Sequence, residues 1–405
     1  MIAANIADYR ELARRSLPRV LFDYVDGGSY AETTLARNSE DFKDVYLRQR
    51  VLKDVSKLHM ATEVLGQPMS MPLVLSPVGM AGMYARRGEV QAARAARKAG
   101  LPMCLSSMSI CDVEEVTKGC GAPIWFQLYV MKDRGYMESL MARAVDLGCP
   151  VLAFTVDLPR PGSRYRDARN GLNGKLPPWE ALKRGWDGVS HPRWVWDIWM
   201  NGRPHTFGNI GPAIPEAKSL DAFWGYISTS MDVITWKDIA WVRKHFPGKI
   251  ILKGLLDVED AREAAKHGVD GIVVSNHGGR QLDGAPSSIS ALPAIADAVG
   301  DDMTVLMDGG IRSGLDVLKA LSSGAKACLL GRAWAYGLAA KGEAGVTHVL
   351  DIIRAELATA MALTGCTDIR KADASLLAQA REALADAASA RPAAKPAPIK
   401  RTRTR

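Results

Sequence analysis

The sequence contains no cysteine pattern that would build a disulfide framework or a zinc site. The six cysteines are Cys104, Cys111, Cys120, Cys149, Cys328 and Cys366. They include no C-x-x-C pair and no regular spacing, which both kinds of framework require. We therefore expect free thiols in a reducing compartment and no metal centre.

We expect neither a signal peptide nor a membrane-spanning helix in this sequence. It begins MIAANIADYRELARR, with acids and arginines where a signal peptide needs an apolar core. No apolar run approaches the roughly 20 residues of a membrane-spanning helix. We expect a protein that is cytoplasmic or held at a membrane surface.

The body of the chain has little excess charge, although the net charge of the whole is +8. Residues 391–405 hold six basic residues and no acid, so the remainder carries a net charge of about +2. This balance argues against a specific nucleic-acid-binding domain. The Pro- and Ala-rich segment 381–405 is expected to be a disordered basic tail. It would be either a solvated terminus or a weak contact for anionic lipid or nucleic acid.

What the sequence does contain is a repeated strand–helix pattern. Four helical patterns stop at a glycine that an apolar strand soon follows, at Gly100, Gly148, Gly268 and Gly324. Glycine is favoured just past a helix end because it accepts a left-handed backbone. Asp257 and Ser313 stand where a helix N-cap is expected. Strands and helices alternating at this spacing predict parallel βα units.

Eight apolar runs are expected to form buried parallel strands. They are 72–78, 101–106, 124–129, 151–156, 250–254, 271–275, 304–308 and 326–331. Eight such units favour a (β/α)8 TIM barrel, with an open doubly wound sheet as the alternative. Residues 1–71 would form helices and a short hairpin over one end of the barrel. Residues 159–235 are too long for a plain βα loop and are expected to be an insertion within a single domain of residues 1–380.

Polar, charged or glycine residues follow all eight predicted strands. The most informative run is SNHGGRQLDG, residues 275–284, because a turn needs its glycines but not its histidine and arginine. Barrel enzymes carry their chemistry at the carboxyl ends of the strands. Eight such ends in one register therefore predict an active-site rim.

The last two strand ends are typical of a phosphate site. They read DGGIR at residues 308–312 and GR at residues 331–332. Glycines let backbone N–H groups approach an anion there, and arginines add positive charge. No G-x-G-x-x-G follows a strand, so a mononucleotide is favoured over a dinucleotide. A simple turn at DGGIR is the alternative.

Four polar side chains on other strands would face a flat heterocycle. They are Ser106, Gln127, Thr155 and Lys253. Lys253 would be a fixed cation beside a ring that becomes anionic on reduction. Otherwise it is a lysine whose amine reaches the solvent-exposed rim.

The remaining rim residues suit a carboxylate-bearing substrate. They are Tyr24, Tyr129, Asp157, Arg164, His277 and Arg280. Two guanidiniums match the two oxygens of a carboxylate. Histidine is the natural general base near neutral pH, and a nearby carboxylate stabilises its protonated form. A hydrogen-bonded structural role is the alternative for His277.

These residues lie in motifs that resemble the FMN-dependent α-hydroxy-acid oxidase and dehydrogenase family. The motifs are FDYVDGGSYAETT, SPVGMAGMYARRGE, WFQLYVMKDR, FTVDLPRPGSRYRD, SNHGGRQLDG, MDGGIRSGLDVLKAL and LLGRA. They occur in order at the expected strand ends and cover about residues 5–380. The resemblance is strongest to the bacterial dehydrogenases of this family that oxidise L-lactate.

The resemblance implies a role for each motif residue. It makes His277 the base, Asp157 its partner, Arg164 and Arg280 the carboxylate ligands, and Tyr24 and Tyr129 further substrate contacts. It implies that FMN contacts Pro77, Val78, Gly79, Ser106, Gln127, Thr155 and Lys253. It implies that the FMN phosphate lies at Asp308, Gly309, Gly310, Ile311, Arg312, Gly331 and Arg332. Gly79 stands where many oxidases of the family carry alanine, which leaves oxygen reactivity open.

The implied reaction is oxidation of an L-2-hydroxy acid, L-lactate to pyruvate in the first instance. The base would take either the hydroxyl proton, as a hydride leaves C2, or the C2 proton. The electrons would pass to a quinone or cytochrome acceptor from a homotetramer at the cytoplasmic face of the membrane. The alternatives are an oxygen-using oxidase of the glycolate or mandelate type, an FMN-containing barrel isomerase, and a non-catalytic binding protein acting through the basic tail.

Half of the ten tryptophans lie in the predicted insertion, between residues 179 and 199. They are Trp179, Trp186, Trp194, Trp196 and Trp199, with Lys183, Arg184 and Arg193 among them. Tryptophan beside cations is typical of a water–lipid interface. This pattern predicts contact with an anionic membrane, unless the rings pack on the barrel or on a neighbouring subunit.

Overall fold

The computed structural model has a closed barrel of eight parallel strands at its centre. It describes residues 2–172, 176–214, 225–226 and 229–378. The strands are β1 (Thr62–Val64), β2 (Gln67–Met69), β3 (Leu73–Leu75), β4 (Cys104–Ser106), β5 (Trp125–Leu128), β6 (Val151–Thr155), β7 (Lys249–Leu255), β8 (Gly271–Val274), β9 (Thr304–Asp308) and β10 (Ala327–Leu330). Strands β3 to β10 correspond to the eight predicted runs, so that prediction is confirmed.

The order of the barrel strands is β3-β10-β9-β8-β7-β6-β5-β4, and each pairs in parallel with its neighbours. A parallel bridge between Leu75 and Met103 closes the ring. The sheet is therefore a (β/α)8 barrel, and the doubly wound alternative is excluded. The register of β6 with β7 sets Thr155 opposite Lys253 at the carboxyl ends of the two strands.

The helices begin and end largely where the sequence signals predict. Gly100, Gly148, Gly268 and Gly324 all have positive φ, from 65° to 110°. The Ser313 side chain accepts a hydrogen bond from the amide of Asp316. The α-helices of six residues or more are Ile6–Ser16, Arg19–Asp26, Thr33–Glu40, Gly88–Lys98, Val113–Cys120, Arg134–Asp146, Pro178–Val189, Asp238–His245, Val258–Lys266, Ser288–Val299, Gly314–Ser322 and Arg332–Thr364, the last kinked at Lys341–Gly342.

The N-terminal segment splits between the two ends of the barrel. Its helix Arg19–Asp26 brings Tyr24 to the carboxyl ends of the strands, where the tyrosine lines the central cavity. The β1–β2 hairpin instead lies beside Lys249, where β7 begins. The expected helices and hairpin are both present, but they do not cover the same end. Within the N-terminal segment, the helix and not the hairpin therefore reaches the carboxyl ends of the strands.

Trp194 and Asn209 provide two of the contacts that anchor the insertion to the barrel. The indole N–H of Trp194 donates to the carbonyl of Met83 over 2.9 Å. Asn209 is fully buried, accepts from the amide of Val113 and donates to the hydroxyl of Ser109, both over 2.9 Å. These contacts join the insertion to the loops that follow β3 and β4.

The insertion exposes most of its tryptophans. Trp179, Trp186, Trp196 and Trp199 are between 47% and 75% exposed. Trp194 is half-buried and hydrogen-bonded to the barrel, so it does not belong with the exposed rings, contrary to the sequence prediction. Within the described part of the chain, no helix has both the length and the apolar character to cross a bilayer.

The core is formed by the barrel interior and the layer between strands and helices. Its largest fully buried side chains include Trp125, Phe126, Phe154 and Trp334. All six cysteines are buried and unpaired, which confirms the expectation of free thiols. The predicted basic tail, residues 381–405, lies outside the described residues.

Candidate active site

A cavity of about 1510 Å³ opens at the carboxyl ends of the barrel strands. Eighteen of the twenty predicted site residues line it. The other two, Asp157 and Gln127, lie behind its wall, each hydrogen-bonded to a residue that does line it. The structure therefore brings residues from all eight strand ends and from the N-terminal helices into one site.

The turn after β8 explains its unusual sequence. His277, Gly278 and Gly279 all have positive φ, at 57°, 64° and 74°. A Cβ on Gly279 would lie 2.6 Å from the backbone of Leu35, and one on Gly278 would lie 2.7 Å from Arg332. Because these two glycines lack a Cβ, Leu35 and Arg332 can pack directly against the turn. His277 has a left-handed backbone conformation, which residues with a side chain seldom adopt.

His277 is held by a carboxylate on one side and meets a phenol on the other. Its Nδ1 lies 3.0 Å from Oδ1 of Asp157, and its Nε2 lies 3.2 Å from the hydroxyl of Tyr129. A carboxylate on Nδ1 fixes the proton there and leaves Nε2 able to accept one. Burial raises the pKa of the Tyr129 phenol well above its usual range, so Tyr129 stays protonated.

Asp157 is an anion despite its burial. Burial alone would raise its pKa, but His277 and Lys253 offset this effect and the pKa is lowered overall. Room for the carboxylate comes from Gly254, where a Cβ would lie 2.4 Å from Cγ of Asp157. Asp157 is therefore a charged carboxylate that fits sterically beside His277.

Lys253 is a buried cation with two close polar partners. Its side chain is 6% exposed, and its Nζ lies 2.8 Å from Asp308 and 3.0 Å from the hydroxyl of Ser275. Burial alone would lower the pKa of Lys253, but the negative charges of Asp308 and Asp157 outweigh this effect and raise the pKa overall. The amine therefore remains protonated. The cation is thus fixed in place before anything binds.

Arg164 and Arg280 line the cavity with less negative charge beside them than Lys253 has, although Arg280 donates hydrogen bonds to the carbonyls of Tyr24 and Gly27. Their guanidiniums face the ring of Tyr24, at 5.6 and 4.8 Å from its centroid. Burial lowers the pKa of Arg164, and the charge of Arg280 lowers it further. Asp167 lies 3.3 Å from Arg164, while no carboxylate of the described residues is within 4.0 Å of Arg280. Two close cations with so little counter-charge suit an anionic ligand.

The end of the cavity at β9 and β10 is also cationic. Gly309 and Gly310 have φ of 91° and 86° and line the cavity beside Arg312. Burial lowers the pKa of Arg332 to about 10. Its guanidinium donates to the carbonyls of Val25, Gly27 and Gly278, which tie three segments together. Arg332 therefore combines a positive charge with a structural role that the sequence did not reveal.

Three predicted cofactor contacts form a hydrogen-bonded chain. The hydroxyl of Ser106 donates to Oε1 of Gln127 over 3.0 Å, and Nε2 of Gln127 donates to the hydroxyl of Thr155 over 2.9 Å. Gln127 is only 1% exposed, so it orients the two hydroxyls that line the cavity.

The cavity has a second, apolar part under the insertion. Leu172, Leu176, Val195 and Met231 line it, together with Trp194. Most of the predicted polar site residues lie on the barrel side, although Arg184 of the insertion also lines the cavity. The whole cavity is larger than the 300–1,000 Å³ typical of a single small-molecule site, so it has room for more than one ligand.

Sequence reasoning missed several residues that shape this site. Gly254 could have been found, because a glycine directly after a strand-end lysine indicates a close approach. Asn209 gave no signal, since a lone asparagine in an insertion is ordinary. Gln281 stands inside a quoted motif, but its partners become visible only in the fold.

Comparisons with known proteins agree with this geometry. The FMN-dependent dehydrogenase family matches residues 13–379 of this chain. An L-lactate dehydrogenase of Caulobacter sp. (strain K31) is 56% identical over 380 residues, which cover 94% of this chain and 99% of that protein. The monotopic membrane protein (S)-mandelate dehydrogenase superimposes with a TM-score of 0.86 at 36% identity, over 93% of this chain and 100% of that chain. A mandelate oxidase with (S)-2-phenylpropionate gives 0.77 at 36% identity, over 92% and 97%.

Proposed function

Because this chain belongs to the FMN-dependent dehydrogenase family, we propose that it oxidises L-lactate to pyruvate and passes the electrons to a respiratory acceptor at the membrane. FMN is its cofactor and a 2-hydroxy acid is its substrate. The observation that carries the proposal is the pair of weakly compensated cations, Arg164 and Arg280, beside the His277–Asp157 pair. A carboxylate held by the two arginines would bring its hydroxyl-bearing carbon to the base.

The residues present fit FMN. Glycines with positive φ and the charges of Arg312 and Arg332 would hold its phosphate. The hydroxyls of Ser106 and Thr155 would meet its ring. When bound, FMN supplies the two-electron acceptor for the substrate. Lys253, fixed beside Asp308, would stabilise negative charge on the reduced ring.

The proton chemistry belongs to His277. Its Nε2 takes a proton from the substrate, either from the hydroxyl or from C2, and Asp157 stabilises the imidazolium that results. Tyr24 and Tyr129 lie on the substrate side, and Tyr129 can hydrogen-bond the substrate hydroxyl. Arg164 and Arg280 hold the carboxylate in the fork geometry that guanidiniums offer.

L-Lactate is proposed as the substrate from the names of the relatives rather than from the cavity. The Caulobacter relative is an L-lactate dehydrogenase, whereas the structural neighbours at lower identity act on or bind mandelate-type acids. The deciding experiment adds L-lactate, D-lactate, glycolate and (S)-mandelate to the purified protein without oxygen. The flavin absorbance should bleach fastest with L-lactate. A yellow protein that no hydroxy acid bleaches would point to the isomerase alternative.

The proposed acceptor is a quinone or cytochrome rather than oxygen. Exposed tryptophans on the insertion support peripheral contact with an anionic membrane, and (S)-mandelate dehydrogenase is itself a monotopic membrane protein. The apolar part of the cavity under the insertion would admit an apolar acceptor. We expect the protein to act as a homotetramer on the cytoplasmic face.

An oxygen-using oxidase is the second candidate, since mandelate oxidases share the fold. Reoxidation separates the two. The lactate-reduced protein should be reoxidised much faster by a soluble quinone than by dissolved oxygen. A faster reaction with oxygen would show that this protein is an oxidase. The proposal that it oxidises L-lactate would be unaffected by that result.

A further inference from the structure

The side chain of Gln281 clamps the loop that carries Asp157. Its Nε2 donates to the carbonyls of Asp157 and Arg160, over 2.8 and 3.0 Å. Its Oε1 accepts the amide N–H of Gly162 over 3.0 Å. The amide group of one glutamine thus holds three backbone groups within six consecutive residues.

Two backbone hydrogen bonds also hold the clamped loop near its ends: the amide of Val156 donates to the carbonyl of Lys253, and the amide of Tyr30 donates to the carbonyl of Ser163. Residues 156–164, all of which the structure describes, form neither helix nor strand, and the helix Tyr165–Arg169 begins only after them. Asp157 and Arg164 stand near the two ends of this loop. The loop must therefore be positioned from outside if both side chains are to keep their places in the site.

Close packing accompanies the hydrogen bonds. A Cβ on Gly162 would lie 2.4 Å from the carbonyl oxygen of Arg280 and 2.8 Å from that of Gln281. The two loops consequently touch along their backbones, and only glycine allows that approach. This contact brings the amide of Gly162 within reach of the Gln281 side chain.

The clamp joins the two halves of the catalytic pair. His277 follows β8 and Asp157 follows β6, so the base and its partner stand on different loops. Gln281 lies four residues after His277, on the same loop as the base. The Gln281 side chain therefore connects the loop that carries His277 to the loop that carries Asp157.

We infer that Gln281 is a positioning residue for the reaction, which sets Asp157 against His277 and fixes the start of the segment leading to Arg164. This inference rests on the proposed roles of His277 and Asp157. Glutamine alone offers two amide hydrogens and one acceptor at this length. Glutamate loses both donors, and methionine loses every hydrogen bond while keeping a similar volume.

The test compares Gln281→Met and Gln281→Glu with the wild type. Misplacement of a catalytic group by about 1 Å can cost roughly 100-fold in rate. We expect the limiting rate of anaerobic flavin reduction by the best hydroxy acid to fall at least about tenfold in both variants, with flavin still bound. The isosteric glutamate variant should be no better than methionine, since the lost donors and not the volume matter. Gln67→Met, in the hairpin at the opposite end of the barrel, is the matched control and should change nothing.

A double-mutant cycle separates positioning from a general structural role. In an Asp157→Asn background, Gln281→Met should change the reduction rate less than about twofold, because the partner it positions is already lost. Equal fold-losses in both backgrounds would overturn the inference. So would a Gln281→Met variant within about twofold of the wild-type rate.

A second readout does not depend on turnover. Hydrogen exchange of the peptide spanning residues 158–166 should speed up in Gln281→Met, while peptides of β6 stay protected. Unchanged exchange would show that the clamp does not hold the loop. If instead the wild type is not reduced by any hydroxy acid but the exchange changes as expected, the proposed function fails and the clamp stands.

Discussion

One buried lysine and two partly buried arginines share one cavity, and their positive charges are balanced very differently. Lys253 lies 2.8 Å from Asp308 and also contacts Ser275, so its charge is balanced within the protein. Arg164 and Arg280 face one tyrosine ring together, and the second charge depresses the pKa of Arg164. Lys253 therefore has a carboxylate at hydrogen-bond distance, whereas Arg164 has one only at 3.3 Å and Arg280 donates to the backbone carbonyls of Tyr24 and Gly27.

Under the proposed function, this difference would place the two groups at different stages of the reaction. Two guanidiniums with little negative charge beside them are stabilised most by an anion that is already present when the substrate binds. The carboxylate of the substrate is such an anion. A compensated lysine suits charge that appears only during the reaction, because it is already oriented when that charge develops. His277 lines the same cavity as both groups. The arginines should therefore govern affinity, and Lys253 and His277 should govern rate.

The largest effect should come from removing the base. In His277→Gln the flavin should remain bound, but reduction by L-lactate should slow by about 10²–10⁴-fold, since glutamine cannot accept the proton. Rapid-mixing absorbance measures this rate. A variant reduced within about tenfold of the wild-type rate would mean that another group is the base.

Loss of the compensated cation should come next. Lys253→Met should slow reduction by about 10²–10³-fold per bound flavin, the range seen when one preorganised stabilising group is removed. It should also lower the melting temperature, because Asp308 is left as a buried carboxylate without its partner. The double variant Lys253→Met, Asp308→Asn should regain stability but not rate. Recovery of the rate in the double variant would contradict the role assigned to Lys253.

A change in the arginine pair should act on affinity. Arg280→Lys keeps the charge but loses the planar fork, so L-lactate and oxalate should both bind about 10–100-fold more weakly, as expected for one lost charged hydrogen bond. The limiting reduction rate should change less than the affinity. Arg243→Lys, at the opposite end of the barrel, is the control. Unchanged affinity for both ligands would remove Arg280 from the carboxylate site.

The smallest effect should appear outside the cavity, on the insertion. Changing Trp179, Trp186 and Trp196 to Ser should reduce co-sedimentation with anionic vesicles several-fold and leave lactate-driven reduction intact. Trp194 is kept, because it bonds to Met83. A truncation after Ala390 tests the basic tail. If the truncation stayed in solution while the Trp variant still pelleted, the tail would be the anchor.

The sequence predicted the barrel well because its strands are buried on both faces and its helices end at glycines. Each signal is local: an apolar run, a left-handed glycine or an N-cap such as Ser313. The rim could be predicted for a related reason, since the parallel topology brings all the strand ends to one side.

Partner choice could not be predicted in the same way. In the sequence, nothing distinguishes Trp194 from the neighbouring tryptophans that are exposed. Its hydrogen bond to the carbonyl of Met83 is visible only in the fold. Arg332 was expected at a phosphate, and its bonds to the carbonyls of Val25 and Gly27 depend on a helix 300 residues earlier in the chain. Long-range hydrogen bonds of this kind leave no local pattern.

The most direct test of the division between affinity and rate is an oxalate titration of three proteins, the wild type, His277→Gln and Arg280→Lys, combined with their lactate reduction rates. The account predicts that His277→Gln binds oxalate within about fivefold of the wild type, although its reduction rate falls by about 10²–10⁴-fold. Arg280→Lys should show the opposite pattern, with oxalate binding weakened by about tenfold or more and a smaller loss of limiting rate. Equal losses of affinity and rate in both variants would contradict it, because the base and the arginine pair would then act as one unit.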